Sequence, residues 1–284
     1  MECCFSCGFL LDDSDLLPRN IYASARSQSK GSVSLNDVQP PLATDGYSYR
    51  PINFEHGREI RILLLSPGRF DDELHCDLQH ANLQLGPVYE AVSYTWADHT
   101  DDDSFTQRIR CGRMNKYIRI TKNCESVLRR LRKPDEERWV WIDSICIDQT
   151  NIQERNHQIQ HMIAIFRSAV QVVIYLGEGV IEAQTVIDYV AGGSADTIPS
   201  ILDAVRLFQC RWFHRVWVLQ EVAVAKSATV IYGPKSCRWN DLVSHGAFLR
   251  SFNARREVVE LPPVLSFSIS RELHPIQSQE VCGG

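Results

Sequence analysis

Three short stretches hold the side chains able to do chemistry. The first is WVWIDSICIDQTNIQERNHQIQHM (139–162), where Asp143, Cys146 and Asp148 interrupt a run of tryptophan and aliphatic residues. A carboxylate inside an apolar run needs a partner or an altered pKa, and both conditions suit acid–base or electrostatic chemistry. Asp143 is therefore read either as a site residue or as a brace. Asp148, just ahead of a helix start, suits capping of free N–H groups. The second stretch, RWFHRVWVLQE (211–221), holds Arg211, Arg215, Gln220 and Glu221 among two tryptophans. An arginine–glutamate network on an amphipathic core helix explains it structurally, and a charged site explains it functionally. The third is HQIQH (157–161), with two histidines one helical turn apart. Gln158 stands where a zinc protease has its glutamate.

Asp143, Arg215 and Glu221 are expected to converge at the C-terminal edge of a sheet, because an aspartate in an apolar strand requires a cation. Cys4 and Cys7 have CxxC spacing beside Cys3, but the next cysteine is Cys76, so no second ligand pair completes a zinc site. No metal is expected. A glycine-rich phosphate loop and a G-x-S-x-G elbow are both missing from the sequence.

The elements that must position these residues follow from periodicity and turn residues. Strands are expected at Glu59–Leu65, Val88–Trp96, Tyr117–Thr121, Trp139–Ile147, Gln171–Gly177 and Ala228–Tyr232. A helix follows Thr121 or Asn123 and ends at Pro134. Asn151 and Glu154 have capping-box spacing, and the helix they open carries Ile159, Met162, Ile163, Phe166 and Val170 as its expected core stripe. That stripe puts His157 and His161 on the solvated side. Further helices are expected at Ile181–Ala191 and from Ile201 to Ala225, kinked near Arg211.

Continuous apolar strands alternating with helices predict a three-layer α/β domain with a mainly parallel sheet flanked by helices. It is expected over residues 55–250, after an irregular lead-in (1–54) and before an irregular tail (251–284). The 284-residue chain has 44% hydrophobic and 23% charged residues, which is ordinary globular usage. Its net charge of −5 and lack of a basic block argue against a nucleic-acid partner. No apolar run is long enough to span a membrane and the N-terminus is a poor signal peptide, so a cytoplasmic location is expected.

Three blocks, VYEAVSYTWAD (88–98), the stretch from Trp139 to Gly177, and RWFHRVWVLQEVAVAKSATVIYG (211–233), resemble the fungal heterokaryon-incompatibility (HET) domain. IRILLLSPG (60–68) and IRITKNCESVLRRLR (118–132) fit the same pattern. Ala97 stands where the family usually has glycine, and Asp148 where it usually has asparagine. The resemblance implies a role in allorecognition and programmed cell death, with self-association or other incompatibility proteins as partners. It further implies a distant likeness to TIR domains, flavodoxin-like modules that assemble or cleave NAD. On the NAD-cleaving alternative, Glu221 and Asp143 are the catalytic candidates, and Ser93, Trp96, Asp148 and Arg215 would hold the cofactor. A degenerate, non-signalling paralogue is the third reading.

Overall fold

The structure is a computed structural model that describes residues 46–54, 58–114, 116–192, 198–215 and 218–245. The described residues form nine strands in one mixed sheet, ordered β5-β4-β2-β1-β6-β3-β7-β8-β9. Its centre is the parallel set β6 (Arg138–Trp141), β3 (Glu90–Ser93), β7 (Gln171–Tyr175) and β8 (Ala228–Tyr232). Antiparallel neighbours extend it. β1 (Glu59–Leu65) pairs with both β6 and β2 (His75–Asn82), β4 (Gln107–Cys111) with β5 (Lys116–Ile120), and β8 with β9 (Lys235–Arg238). β4 joins β2 in parallel through only His75–Arg110 and Cys76–Cys111.

Helices cover both faces, as the α/β class requires. Glu90 and Ser93 lie three apart on β3 and so point to opposite sides. Glu90 is bound by Arg138, whose Nη1 donates to the carbonyl of Leu131 (2.8 Å) at the end of α1 (Lys122–Leu131). Ser93 instead meets Glu221 of α6 (Val218–Ala223). On that second side Trp141 packs edge-on against Phe166 of α3 (Ile152–Ser168). Ile60, Leu63, Val140, Trp141, Val172 and Ile174 are fully buried, and each apolar side chain so enclosed contributes about 1.5–3 kcal/mol.

The lead-in already touches this core at residues 46–54. Ile52 is buried, Tyr49 Oη donates to the carbonyl of Ile145 (2.9 Å), and Tyr47 N donates to Tyr117 O (3.0 Å).

Several expectations change in the structure. The run 139–147 is not one strand. β6 stops at Trp141, and Asp143–Cys146 form the short helix α2. The Asp143 carboxylate accepts from Ser144 N (2.7 Å) and the carbonyl of Ile142 accepts from Cys146 N (2.8 Å), which closes a helical turn. Ile145 and Cys146 stay buried, so a continuous apolar run cannot separate this helix from a strand. The strand expected over Val88–Trp96 is likewise shorter, at Glu90–Ser93, and lies beside β6 and β7.

The helix expected over Ile181–Ala191 is α4 (Ile181–Val190), and the one expected over Ile201–Ala225 divides into α5 (Ile201–Phe208), a 3₁₀ turn at Arg211–His214, and α6. β2, β4 and β9 had no sequence signal, because their exposed positions carry polar and charged residues without a sustained apolar face.

The face that α3 buries overlaps the expected stripe only at Phe166 and the partly buried Met162. Glu154, Gln158, Ile165 and Phe166 are buried, whereas Ile159, Ile163 and Val170 are exposed. His157 and His161 therefore flank the buried seam. Their rings pack at 4.5 Å, and Phe54 packs on His157 at 4.5 Å. Asn151 caps the helix through Glu154 N (3.1 Å), but the Glu154 carboxylate is turned to Arg61 and to Asp148 N (2.7 Å), so the capping box is not reciprocal.

Candidate functional site

The site is built where β3 and β6 end at their carboxyl edges, the place where loops leave a parallel sheet. Ser93 is the last residue of β3. Its hydroxyl accepts from the Trp212 indole N–H at 2.6 Å and donates to Glu221 Oε2, so both of its capacities are used. Trp212 comes from the 3₁₀ turn after α5, and its ring packs edge-on with Phe213 and Trp239 at 5.2 and 5.7 Å. That packing fixes the indole and therefore the direction of the chain Trp212→Ser93→Glu221. Glu221 is only 4% exposed.

Arg215 supplies the cation. Its Nη2 lies 3.6 Å from Glu221 Oε1, and its Nη1 donates to the carbonyl of Tyr94 at 2.7 Å. The contact with Glu221 is too long for a good charged hydrogen bond, so the pair is electrostatic.

Asp143 faces the same guanidinium. Both of its oxygens accept from the Trp96 indole N–H, at 3.1 and 3.0 Å, and Oδ1 also accepts from Ser144 N. The residue keeps partial exposure while its carboxylate is enclosed. Burial pushes its pKa up from 3.8 to about 6; Arg215, Trp96 and the Ser144 amide oppose the rise, and Glu221 adds to it. Asp143, Arg215 and Glu221 are thus one electrostatic group. Around them Tyr94 Oη donates to Ser144 Oγ (2.7 Å), and Asn123 Nδ2 to the carbonyl of Thr95 (2.6 Å), which ties the strand exit to α2 and α1.

Asp148 lies elsewhere. Its Oδ1 accepts from Thr150 N (3.0 Å) and Thr150 Oγ1 (2.7 Å), forming a turn before α3, and the cap of α3 is Asn151. Nothing in the described residues joins it to Ser93, Trp96 or Arg215. Of the four residues expected to hold a cofactor, Ser93 and Trp96 have their hydrogen-bonding groups engaged inside the protein, and Arg215 keeps the most spare donors. Among the described residues no group of three or more His, Cys, Asp or Glu could hold a metal ion. Cys3, Cys4 and Cys7 lie outside the described residues.

Sequence reasoning missed Trp212, Tyr94 and Ser144. A buried indole must find an acceptor, which was the available signal for Trp212. Tyr94 and Ser144 carried none.

Residues 89–221 match the family model described as "Heterokaryon incompatibility protein (HET)". The chain carries a heterokaryon-incompatibility domain. It is 34% identical over 179 residues to "Heterokaryon incompatibility protein 6, OR allele" of Neurospora crassa, covering 59% of this chain and 26% of that protein. It is 27% identical over 158 residues to "Vegetative incompatibility protein HET-E-1" of Podospora anserina, covering 55% of this chain and 10% of that protein. The chain therefore spans about a quarter or less of the length of these relatives. No solved structure matches it.

The polar group sits at the junction of the HET domain's own blocks. Ser93, Tyr94 and Trp96 come from the first, Asp143 and Ser144 from the second, and Trp212, Arg215 and Glu221 from the third. The Ser93–Glu221 bond ties the start of the matched segment to its last residue.

Proposed function

We propose that this chain is the effector module of a fungal allorecognition system, a TIR-like α/β domain that triggers programmed cell death from the cytoplasm by associating with itself or with other incompatibility proteins. One observation supports the reading most strongly: the three blocks that carry the family resemblance meet at a single polar group centred on Glu221. Buried carboxylates often stabilise a fold no better than apolar residues of similar volume, so a group that leaves its carboxylates loosely paired supports a role beyond packing.

Assembly suits the geometry better than NAD cleavage. Glu221 is buried, with one oxygen bound by Ser93 and the other facing Arg215, so no open carboxylate is offered to a substrate. The test is expression of this chain in a compatible fungal host, with viable counts against protein level. Death in proportion to protein level is expected, and normal growth at high protein level would refute the reading. In parallel, purified protein is incubated with NAD. Catalytic release of nicotinamide would replace assembly with the enzymatic alternative.

A further inference from the structure

His157 and His161 sit one turn apart on α3, and their rings meet edge to face at 81° with centroids 4.5 Å apart. The contact is between like atoms: His157 Nε2 lies 3.3 Å from His161 Nε2. Two imidazolium rings would each present an N–H at that point and repel, so at least one ring offers a lone pair there. As a hydrogen bond the contact is long. The pair is also held in place. Phe54 packs on the His157 ring at 4.5 Å, and the intervening Gln158 is buried, with its amide donating to the carbonyl of Glu59 (3.0 Å). Both histidines keep partial exposure, as entry of an ion from solvent requires.

The separation identifies the ligand. Two nitrogens bound to one zinc ion at about 2.0–2.1 Å and set at the tetrahedral angle lie about 3.3–3.4 Å apart. A right-angled site with bonds of the same length, as in square-planar copper, would hold them about 2.9 Å apart. The observed 3.3 Å is the tetrahedral chord. Spacing i, i+4 on a helix is also what lets two histidines reach one ion. Two features limit the affinity. Among the described residues no third His, Cys, Asp or Glu joins the pair, and the Arg58 cation acts on His161. Once His157 Nε2 is bound, its ring proton sits on Nδ1, which gives up a contact of 3.4 Å with the Gln158 amide.

We infer that His157 and His161 form a two-ligand zinc site on α3, with water completing the tetrahedral shell. The ion pins one turn of α3 to the next and stabilises the domain as free zinc rises. Half the ligands of a structural zinc site correspond to a dissociation constant on the order of 10 µM.

The test is isothermal titration of zinc chloride into the metal-free full chain. Cys3→Ser, Cys4→Ser and Cys7→Ser are introduced so that thiolates there do not compete; the described cysteines are buried or half-buried. One zinc per chain is expected, with a rise in melting temperature. His157→Ala and His161→Ala each remove one of the two ligands and are expected to weaken binding by about tenfold or more. His99→Ala, at an exposed loop histidine, is expected to leave it unchanged. Melting in excess chelator reports the folding of each variant without metal. X-ray absorption at the zinc edge reads the ligand set with α3 intact, and two imidazoles with only nitrogen and oxygen at about 2.0 Å are expected. An absence of zinc binding, binding that survives both histidine substitutions, or a sulfur ligand at about 2.3 Å would each overturn the inference.

Discussion

Two of the arginine–glutamate pairs in this domain, one buried and one partly exposed, are built differently. Arg61 and Glu154 are 1% and 2% exposed and meet through two bonds, Nη1 to Oε1 at 2.5 Å and Nη2 to Oε2 at 2.9 Å. The same guanidinium donates to the carbonyls of Cys146 (3.1 Å) and Arg50 (2.6 Å) and lies 4.9 Å over the Tyr49 ring. Arg215 and Glu221 are 30% and 5% exposed and approach only to 3.6 Å, with a second carboxylate, Asp143, acting on the same cation. The first pair is closed and bidentate, and it clamps the lead-in, β1, α2 and α3 together. The second leaves donors of Arg215 unspent beside a carboxyl held near the middle of the pH range. The clamp engages both terminal nitrogens of its guanidinium and leaves only the buried Arg61 Nε without a partner, whereas the second group keeps donors beside a carboxyl that can change its charge.

Substitutions in the two pairs should therefore have unequal consequences. The largest belongs to the clamp: Arg61→Met or Glu154→Leu alone strands a buried charge and lowers unfolding free energy by about 3–5 kcal/mol. The double substitution is expected to recover most of that loss in urea titrations, and a double variant as weak as the singles would show that the pair does more than brace. Next comes Ser93→Ala, which leaves the Trp212 N–H and one Glu221 oxygen without partners and costs about 1–3 kcal/mol. An unchanged urea midpoint would mean that the hydroxyl carries nothing.

Asp143→Asn gives a smaller, pH-dependent effect. A carboxyl with its pKa raised to about 6 takes up its proton in the folded protein before it does so unfolded, near 3.8. Wild-type stability therefore gains from this group as pH falls from about 6 toward 4, and the cost of its charge is fully present above that range. Asp143→Asn is expected to lose that component, so the wild-type-minus-variant difference should grow on acidification. A difference that does not vary with pH would contradict the assignment. The smallest effect is that of Arg215→Lys. A loose, partly exposed pair contributes about 1 kcal/mol or less, and a larger drop in urea midpoint would make it a clamp as well.

Part of this was legible in the residues. β1 and β8 were visible because their apolar runs end at Ser66-Pro67-Gly68 and Gly233-Pro234. Thr121 was readable as the cap of α1, accepting from Cys124 N at 3.2 Å. The grouping of Asp143, Arg215 and Glu221 followed from charge compensation, which acts at a distance and leaves its mark in residue type. Other features depend on tertiary geometry. Glu154 looks like half of a capping box until Arg61, from the other side of the sequence, takes its carboxylate. The α3 stripe misled because the helix buries a seam of Glu154, Gln158 and Ile165, made possible only by partners such as Arg61 and the carbonyl of Glu59 (3.0 Å from Gln158 Nε2). The hydrophobic period there straddles the boundary: Phe166 and Met162 reach the core, whereas Ile159, Ile163 and Val170 are exposed.

Whether the group around Glu221 works, or merely holds the fold, is decided by Glu221→Gln expressed in the fungal host. Glutamine keeps the acceptor for Ser93 and removes the charge facing Arg215 and Asp143. Viability, protein level and melting temperature are measured on the same cultures and purified samples. A working group predicts wild-type protein level, a melting temperature nearly unchanged, and loss of killing. A stable Glu221→Gln protein that kills as efficiently as the wild type would contradict it.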